Sequence, residues 1–434
     1  MPFLKASAAN KTQLRILLFG VLLSHLGTYM VLPILPIYLK TQKGIDISSI
    51  GLILAVTPFA FQAGSLSGGV LADRIGRRTV IALGAWINAL ALSGYALFNE
   101  VPLLILTALI SGIGIGLNAP STKAAISVVA STAENKTTAF SLRGIAANLG
   151  TGTAGLLTYF ILGGSSSIVF FAASLLYVIL GVITWLFLQK GCGDEKCKPI
   201  ALKEYKEIGR KRAFMVFSLV MVFVWALYTQ LSISLPLRAE SILSDPGMVS
   251  LVWTINSILV ILLQTLITRN IIDKIHPMFS LAVGILFIGF GLGTIYFSSN
   301  FYWLILSGAI FVFGEMLIVP TMDITITRLG TAKMIGAFFG LSNFVSGLGE
   351  GTGKFFGGQL LSLGTSSAAP WLLYSLSGIV ISAVLISLRY WKPLRKELDV
   401  KKDMNKDERS KFHNLENQFT NFTDWFMGGK KRIQ

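Results

Sequence analysis

The stretch G-V-L-A-D-R-I-G-R-R, Gly69 to Arg78, places four charges between two runs that have none. Residues 47–72 before it and 79–99 after it contain no Asp, Glu, Lys or Arg. Each run is long enough for a hydrocarbon layer, which needs roughly 20 apolar residues per helical span. Unpaired backbone groups cannot be left in lipid, so both runs are expected to be helices and the charged stretch the turn between them. Gly69 lets the end of the second span approach a neighbour closely, and Gly76 permits the tight turn that starts the third.

The rest of the chain agrees with this turn. It has 434 residues, 53% hydrophobic and only 13% charged, and its mean hydropathy is +0.68. A soluble domain of this size exposes far more charge. The length allows about a dozen spans with short loops. The formal net charge of +16 and a pI near 9.8 do not indicate nucleic acid. Lys and Arg cluster between apolar runs and in the tail, as in loops on the cytoplasmic side of membranes. Cys192 and Cys197 share one polar loop, too few for a disulfide framework and without two further ligands for zinc. No metal site and no cofactor are expected. The first apolar run is too long for a signal-peptide core and lacks a small-residue cleavage site.

Twelve spans are expected near 13–39, 49–72, 78–98, 101–129, 138–162, 168–188, 213–236, 248–269, 278–297, 301–327, 334–361 and 370–391. Loops after even-numbered spans carry Arg74, Arg77 and Arg78, then Lys136, the basic stretch 190–212, Arg269 and Lys274, and Arg328 and Lys333. The opposite loops hold little beyond Lys40, Lys43 and Arg238. Both termini are therefore expected in the cytoplasm. The polar segment 189–212 divides an N-terminal six-helix bundle, 1–188, from a C-terminal one, 213–392, and a polar tail follows at 393–434. The halves match at an offset of 200 residues: Asp73-Arg74-Ile75 meets Asp273-Lys274-Ile275, and Pro120 meets Pro320. Gly114 and Gly308 fall in comparable glycine-rich stretches.

Residues 69–78 resemble the signature G-x-L-A-D-R-x-G-R-R/K of the major facilitator superfamily at every fixed position. The resemblance implies an all-α membrane protein of two pseudo-repeated six-helix bundles, a secondary transporter working by alternating access. It also implies that Gly69, Asp73, Arg74, Gly76, Arg77 and Arg78 hold the cytoplasmic gate. Asp73 at the membrane edge can pair with Arg77 or accept hydrogen bonds from a helix N-terminus. The second copy, Asp273 and Lys274, lacks the glycine and the double arginine, and a weaker latch is expected there.

Ionisable residues at bilayer depth are functional candidates by default. Glu315, in F-G-E-M-L-I-V-P (313–320), resembles the tenth span of proton-coupled multidrug exporters of the superfamily. A carboxyl group there can take a proton from one side and lose it to the other. The alternative is a structural hydrogen bond to a neighbouring helix. Glu350 and Lys354 lie four apart on one helix face, so they either neutralise each other or leave Glu350 as a second proton carrier. His25 is a third proton-coupling candidate, or a packing histidine. Lys123 and Asp323, again 200 apart, and Arg143 are expected at gates rather than at the substrate. By depth alone, Tyr29, Asn118, Trp225, Tyr228, Gln230, Asn256, Gln264 and Phe313 are candidates to line a cavity.

Overall, residues 12–392 resemble the drug:proton antiporter branch. Span five fits its motif at Asn148 and Gly150, but Ala154-Gly155 stands where Gly-Pro is expected, and Ala108 occupies the place of an arginine in span four. Proton-driven efflux of drug-like or amphiphilic small molecules is the first expectation. A proton-coupled symporter or exporter of a metabolite, sugar or lipid precursor is the second. The expected partners are a small-molecule substrate, protons and the lipid bilayer, with the proton gradient as energy source, no enzymatic activity and a monomeric state. In the tail, Phe412, Leu415, Phe419, Phe422 and Phe426 recur at steps of three and four, and the alternatives are an interfacial helix and a disordered tail.

Overall fold

The computed structural model describes residues 8–130, 133–163, 166–189, 208–330 and 335–404, with side chains throughout except at 8–10, 69, 70, 73, 133–137, 335–337 and 399–404. Every regular element among them is helical. The first half comprises α1 (Ala8–Val31), α2 (Leu35–Thr41), α3 (Ile47–Ile75), α4 (Arg77–Leu97), α5 (Val101–Val129), α6 (Ala133–Leu156) and α7 (Ser167–Phe187). The second comprises α8 (Arg212–Tyr228), α9 (Leu231–Ile242), α10 (Ser250–Ile267), α11 (Pro277–Thr294), α12 (Phe301–Leu329), α13 (Ile335–Leu361), α14 (Ala368–Tyr390) and α15 (Lys392–Met404). Ten segments are long and apolar enough to cross a membrane. With α6 and α13, which run antiparallel to their neighbours at similar length, the spans number twelve.

Two spans differ from the unbroken helices expected. The first is interrupted at residues 32–34, where Pro33 has no N–H to donate and its ring crowds the preceding turn. The seventh is interrupted at Thr229-Gln230. The turn between α3 and α4 is a single residue, Gly76, with φ of +87°. That left-handed backbone is open to glycine without strain.

The main packing contacts of the first half have counterparts in the second. α3 packs on α5 as α10 packs on α12, and α4 on α5 as α11 on α12. α4 meets α7 as α11 meets α14, and α1 meets α6 as α8 meets α13. The halves meet through α3 with α13 and through α6 with α10, again a matched pair.

Lipid tails are as apolar as leucine, so helices in a bilayer are joined by close packing rather than by a hydrophobic driving force. The glycines show where the approach is closest. Gly84 of α4 lies against the carbonyl of Gly114 in α5, and Gly284 of α11 lies against that of Gly314 in α12. Gly314, not Gly308, is thus the counterpart of Gly114, at the same offset of 200. Gly308 instead faces Val252 and Asn256 of α10.

The tail also differs from expectation at its start. Residues 392–404 form α15, with Leu394 and Leu398 buried against α8, α12 and α14. The apolar repeat at 412–426 lies outside the described residues, as does the greater part of the linker, 190–207, and Lys136 lies in α6 outside the described side chains.

Candidate functional site

Two long seams join the halves, and their polar contacts concentrate toward the end of the molecule opposite the termini. Lys40, at the end of α2, donates to Glu240 Oε2 of α9 at 2.5 Å, an ion pair between residues 200 apart. Below it, the backbones of Gly51 in α3 and Gly358 in α13 touch, with no room for a Cβ on either side. Thr254 Oγ1 donates to the Gly152 carbonyl at 2.8 Å, and Ser250 Oγ to that of Gly155 at 3.3 Å. Deeper, Gln62 Nε2 donates to the Asn343 carbonyl at 3.1 Å. Arg238 braces this end within the second half, donating to the carbonyls of Tyr296, Ser298 and Thr365 at 3.0–3.2 Å.

Nearer the termini the geometry changes. Lys123 of α5 and Asp323 of α12 feel each other's charge across the two halves, yet both remain exposed and no ion pair joins them. The exposed space around them therefore lies between the halves, not against lipid. The structure is closed at the end opposite the termini and open toward the termini.

Glu315 is the middle residue of α12, which has 29 residues. Its Oε1 accepts a hydrogen bond of 3.0 Å from the Tyr228 hydroxyl at the end of α8. Tyr228 is held by an edge-on contact with Trp225, centroids 4.9 Å apart, and by Phe311 at 5.5 Å. Trp225 donates from Nε1 to the Met322 sulfur at 3.4 Å. From the other half, Tyr29 of α1 reaches within coulombic range of both Glu315 and Glu350. Tyr29 in turn stacks on His25, centroids 5.9 Å apart and planes 11° from parallel. One aromatic and carboxylate cluster thus draws on α1, α8, α12 and α13.

Glu350 and Lys354 share a face of α13 and influence each other electrostatically, but they do not form an ion pair. Lys354 is buried, at 8% exposure. The charged neighbours of His25 are Arg143 and Lys123, so it belongs to a basic group in the first half.

Three polar cavity candidates donate to neighbouring backbone carbonyls. Asn118 donates its amide to the Ile81 carbonyl at 2.9 Å, fastening α5 to α4. Gln230, at the break in the seventh span, donates to the carbonyls of Ala226 and Gly353. Its amide fills the gap that the interrupted helix leaves beside α13. Gln264 likewise donates to Met316 O and Thr268 Oγ1. Phe313 packs on Phe287 within the second half. Asn256 is buried beside Gly308, with its Oδ1 unpartnered.

In the charged turn, Arg78 stacks its guanidinium over Trp185 of α7, 4.8 Å from the ring centroid. This arginine therefore fastens its own half rather than bridging to the other. Arg74 is exposed and Arg77 partly so. The side chain of Asp73, and Gly69, lie outside the described side chains. Asp273 and Lys274, exposed, end a π-helical turn at Thr268–Ile272.

The Lys40–Glu240 pair was not singled out from sequence, although its signal was present: opposite charges at the same offset of 200, each at a span end.

The family model of the Major Facilitator Superfamily matches residues 17–353. The chain is 26% identical over 394 residues to the uncharacterized MFS-type transporter YttB of Bacillus subtilis (strain 168), covering 90% of this chain and 98% of that one. It is 25% identical to the multidrug resistance protein MdtH of Cronobacter sakazakii, covering 88% and 94% of the two chains. Among solved structures, the nucleoside transporter NupG superposes with a TM-score of 0.75 at 14% identity, covering 87% of this chain and 99% of that chain. A POT family transporter superposes with a TM-score of 0.72 at 16% identity, covering 86% and 95%. At these identities the structural matches speak for the fold.

Proposed function

This chain belongs to the Major Facilitator Superfamily, and from that premise we propose that it exports amphiphilic, drug-like molecules across the cell membrane in exchange for protons. The observation that carries the reading is Glu315, a carboxyl group at the midpoint of a membrane helix, hydrogen-bonded by Tyr228 and approached by Tyr29 from the opposite half. A carboxyl group at the seam between two moving bundles meets different surroundings in each access state. That difference lets it bind a proton in one and release it in the other.

With both termini in the cytoplasm, the described conformation faces inward. Substrate enters the open space and settles against the aromatic walls of Trp225, Tyr228 and Tyr29 as Glu315 releases its proton to the cytoplasm. The halves then rock about their seams, the outer contacts part, and substrate leaves as Glu315 takes a proton from outside. The turn 69–78 closes the inner side in that second state. Relatives named as multidrug resistance proteins, about 25% identical over nearly their whole length, support drug-like cargo.

Glu315→Gln keeps the shape of the side chain and removes its titration. In proteoliposomes with an imposed pH gradient and a panel of fluorescent drugs, this variant is expected to lose gradient-driven efflux. Undiminished active efflux by it overturns the role. The departures at Ala154-Gly155 and Ala108 from the antiporter pattern favour a second reading, coupled transport of one defined metabolite, sugar or lipid precursor. Saturation by a single metabolite without competition from drugs distinguishes it.

A further inference from the structure

Apart from Lys354, the charges around the space between the halves are sorted by sign. The first half contributes His25, Lys123 and Arg143, which feel one another's fields. The second contributes Glu315, Asp323 and Glu350, with Lys354 one turn beyond Glu350. None of these side chains makes an ion pair among the described residues. Lys123 and Asp323, on opposite halves and within reach of each other's charge, do not pair. Arg143 keeps its Nε buried with no hydrogen-bond partner.

An unpaired charge held away from bulk water, as at the buried Nε of Arg143, is costly, and proteins neutralise such a charge by pairing or by a ligand. Here the opposite signs stand on opposite halves, so a ligand can neutralise both at once. We propose, resting on the transport reading above, that this site takes zwitterionic amphiphiles: an anionic group toward Arg143 and Lys123, a cationic group toward Glu315, and an apolar body against the Tyr29, Trp225 and Tyr228 rings. A purely cationic amphiphile leaves Arg143 and Lys123 unpaired and is repelled by them. A purely anionic one does the same to the carboxylates. The division of charge also ties recognition to closure, because a ligand with two poles engages both halves at once.

The test uses three dyes with the full chain. Rhodamine B carries a carboxylate and a delocalised cation, its ethyl ester carries the cation alone, and carboxyfluorescein carries only negative charge. Binding is read by fluorescence polarisation in detergent, without a gradient, and transport is read separately in proteoliposomes. Rhodamine B is expected to bind at least about tenfold more tightly than either comparison dye, the effect of one added charge-assisted contact. Arg143→Gln and, independently, Lys123→Gln are expected to bring the rhodamine B to ester ratio down toward one. A variant counts only if it melts like the parent protein and binds the ester at least as tightly, because non-specific binding by a misfolded protein also gives a ratio near one.

Equal binding of rhodamine B and its ester by the unmodified protein overturns the proposal, as does absence of rhodamine B binding. A preference for rhodamine B that survives both substitutions overturns it as well. Proton-driven export of the ester without zwitterion preference sinks this inference and leaves the export reading standing. A clear preference without any gradient-driven transport does the reverse.

Discussion

Replacing Lys40 with Ala removes the one ion pair that joins the two halves among the described residues. Its Nζ lies 2.5 Å from Glu240 Oε2, and the two side chains are 31% and 19% exposed. Water and salt reach a pair this open, which limits its contribution to about 1 kcal/mol rather than the several of a fully buried pair. The contact exists only while the end opposite the termini is closed, so its loss falls on that state alone. A loss of about 1 kcal/mol raises the ratio of open to closed at this end by roughly fivefold. Spin labels at Ser48, in the first turn of α3, and at Ser362, just beyond α13, report that ratio as a distance distribution in nanodiscs. The longer-distance population is expected to grow about fivefold relative to the shorter one in Lys40→Ala. The double exchange Lys40→Glu with Glu240→Lys is expected to restore the original distribution, and molar salt to narrow the difference between variant and parent. An unchanged distribution in Lys40→Ala, or a double exchange that recovers nothing, refutes the reasoning that this pair is a latch.

Gly84→Val sets a Cβ 2.6 Å from the Gly114 carbonyl and 2.7 Å from the Asn118 nitrogen, so α4 and α5 must part. The cost is about 1–3 kcal/mol, read as a lower melting temperature in detergent. Gly284→Val is expected to do the same against Gly314, and unchanged melting in both removes the role of these pairs. Asp46 caps α3 by accepting from the Ser49 amide at 2.9 Å, and bonds from the Ser49 hydroxyl and amide hold its carboxyl below the ordinary aspartate value. Because the folded value is depressed, the stabilisation is present above the unfolded value of about 3.9 and is lost as pH falls through the folded one. Asp46→Ala therefore lowers stability at neutral pH by about 0.5 kcal/mol, the low end for an exposed cap. The gap to the parent protein is expected to close in melts below about pH 4, and a gap independent of pH counts against the cap.

Much of the fold was legible because the bilayer imposes a one-dimensional rule. The uncharged runs 47–72 and 79–99 became α3 and α4, and Gly76 became the left-handed turn between them. The breaks in the first and seventh spans were not legible in the same way, since a kinked apolar helix and a straight one satisfy hydropathy equally. The repeat shows the same divide. Asp73 with Asp273 and Pro120 with Pro320 stand out as letters, whereas Gly314 is recognised as the partner of Gly114 only by its contact with Gly284.

At the site, Glu315 was legible from depth, because an acid at mid-span is rare enough to need a reason. Asn118 and Gln230 lie at comparable depth, and their amides are taken up by neighbouring backbone carbonyls. Depth does not report helix rotation, so it cannot separate a cavity wall from a packing bridge. The amino-acid sequence on its own determined the spans, their antiparallel order, the duplication and the charged turn, since lipid reads run length and loop charge directly. Only the tertiary structure decided which face of each helix turns inward, which end is closed, and that Lys40 meets Glu240 while Lys123 and Asp323 stay apart. Those outcomes depend on how closely small residues let the helices approach, a property of pairs of segments far apart in the chain.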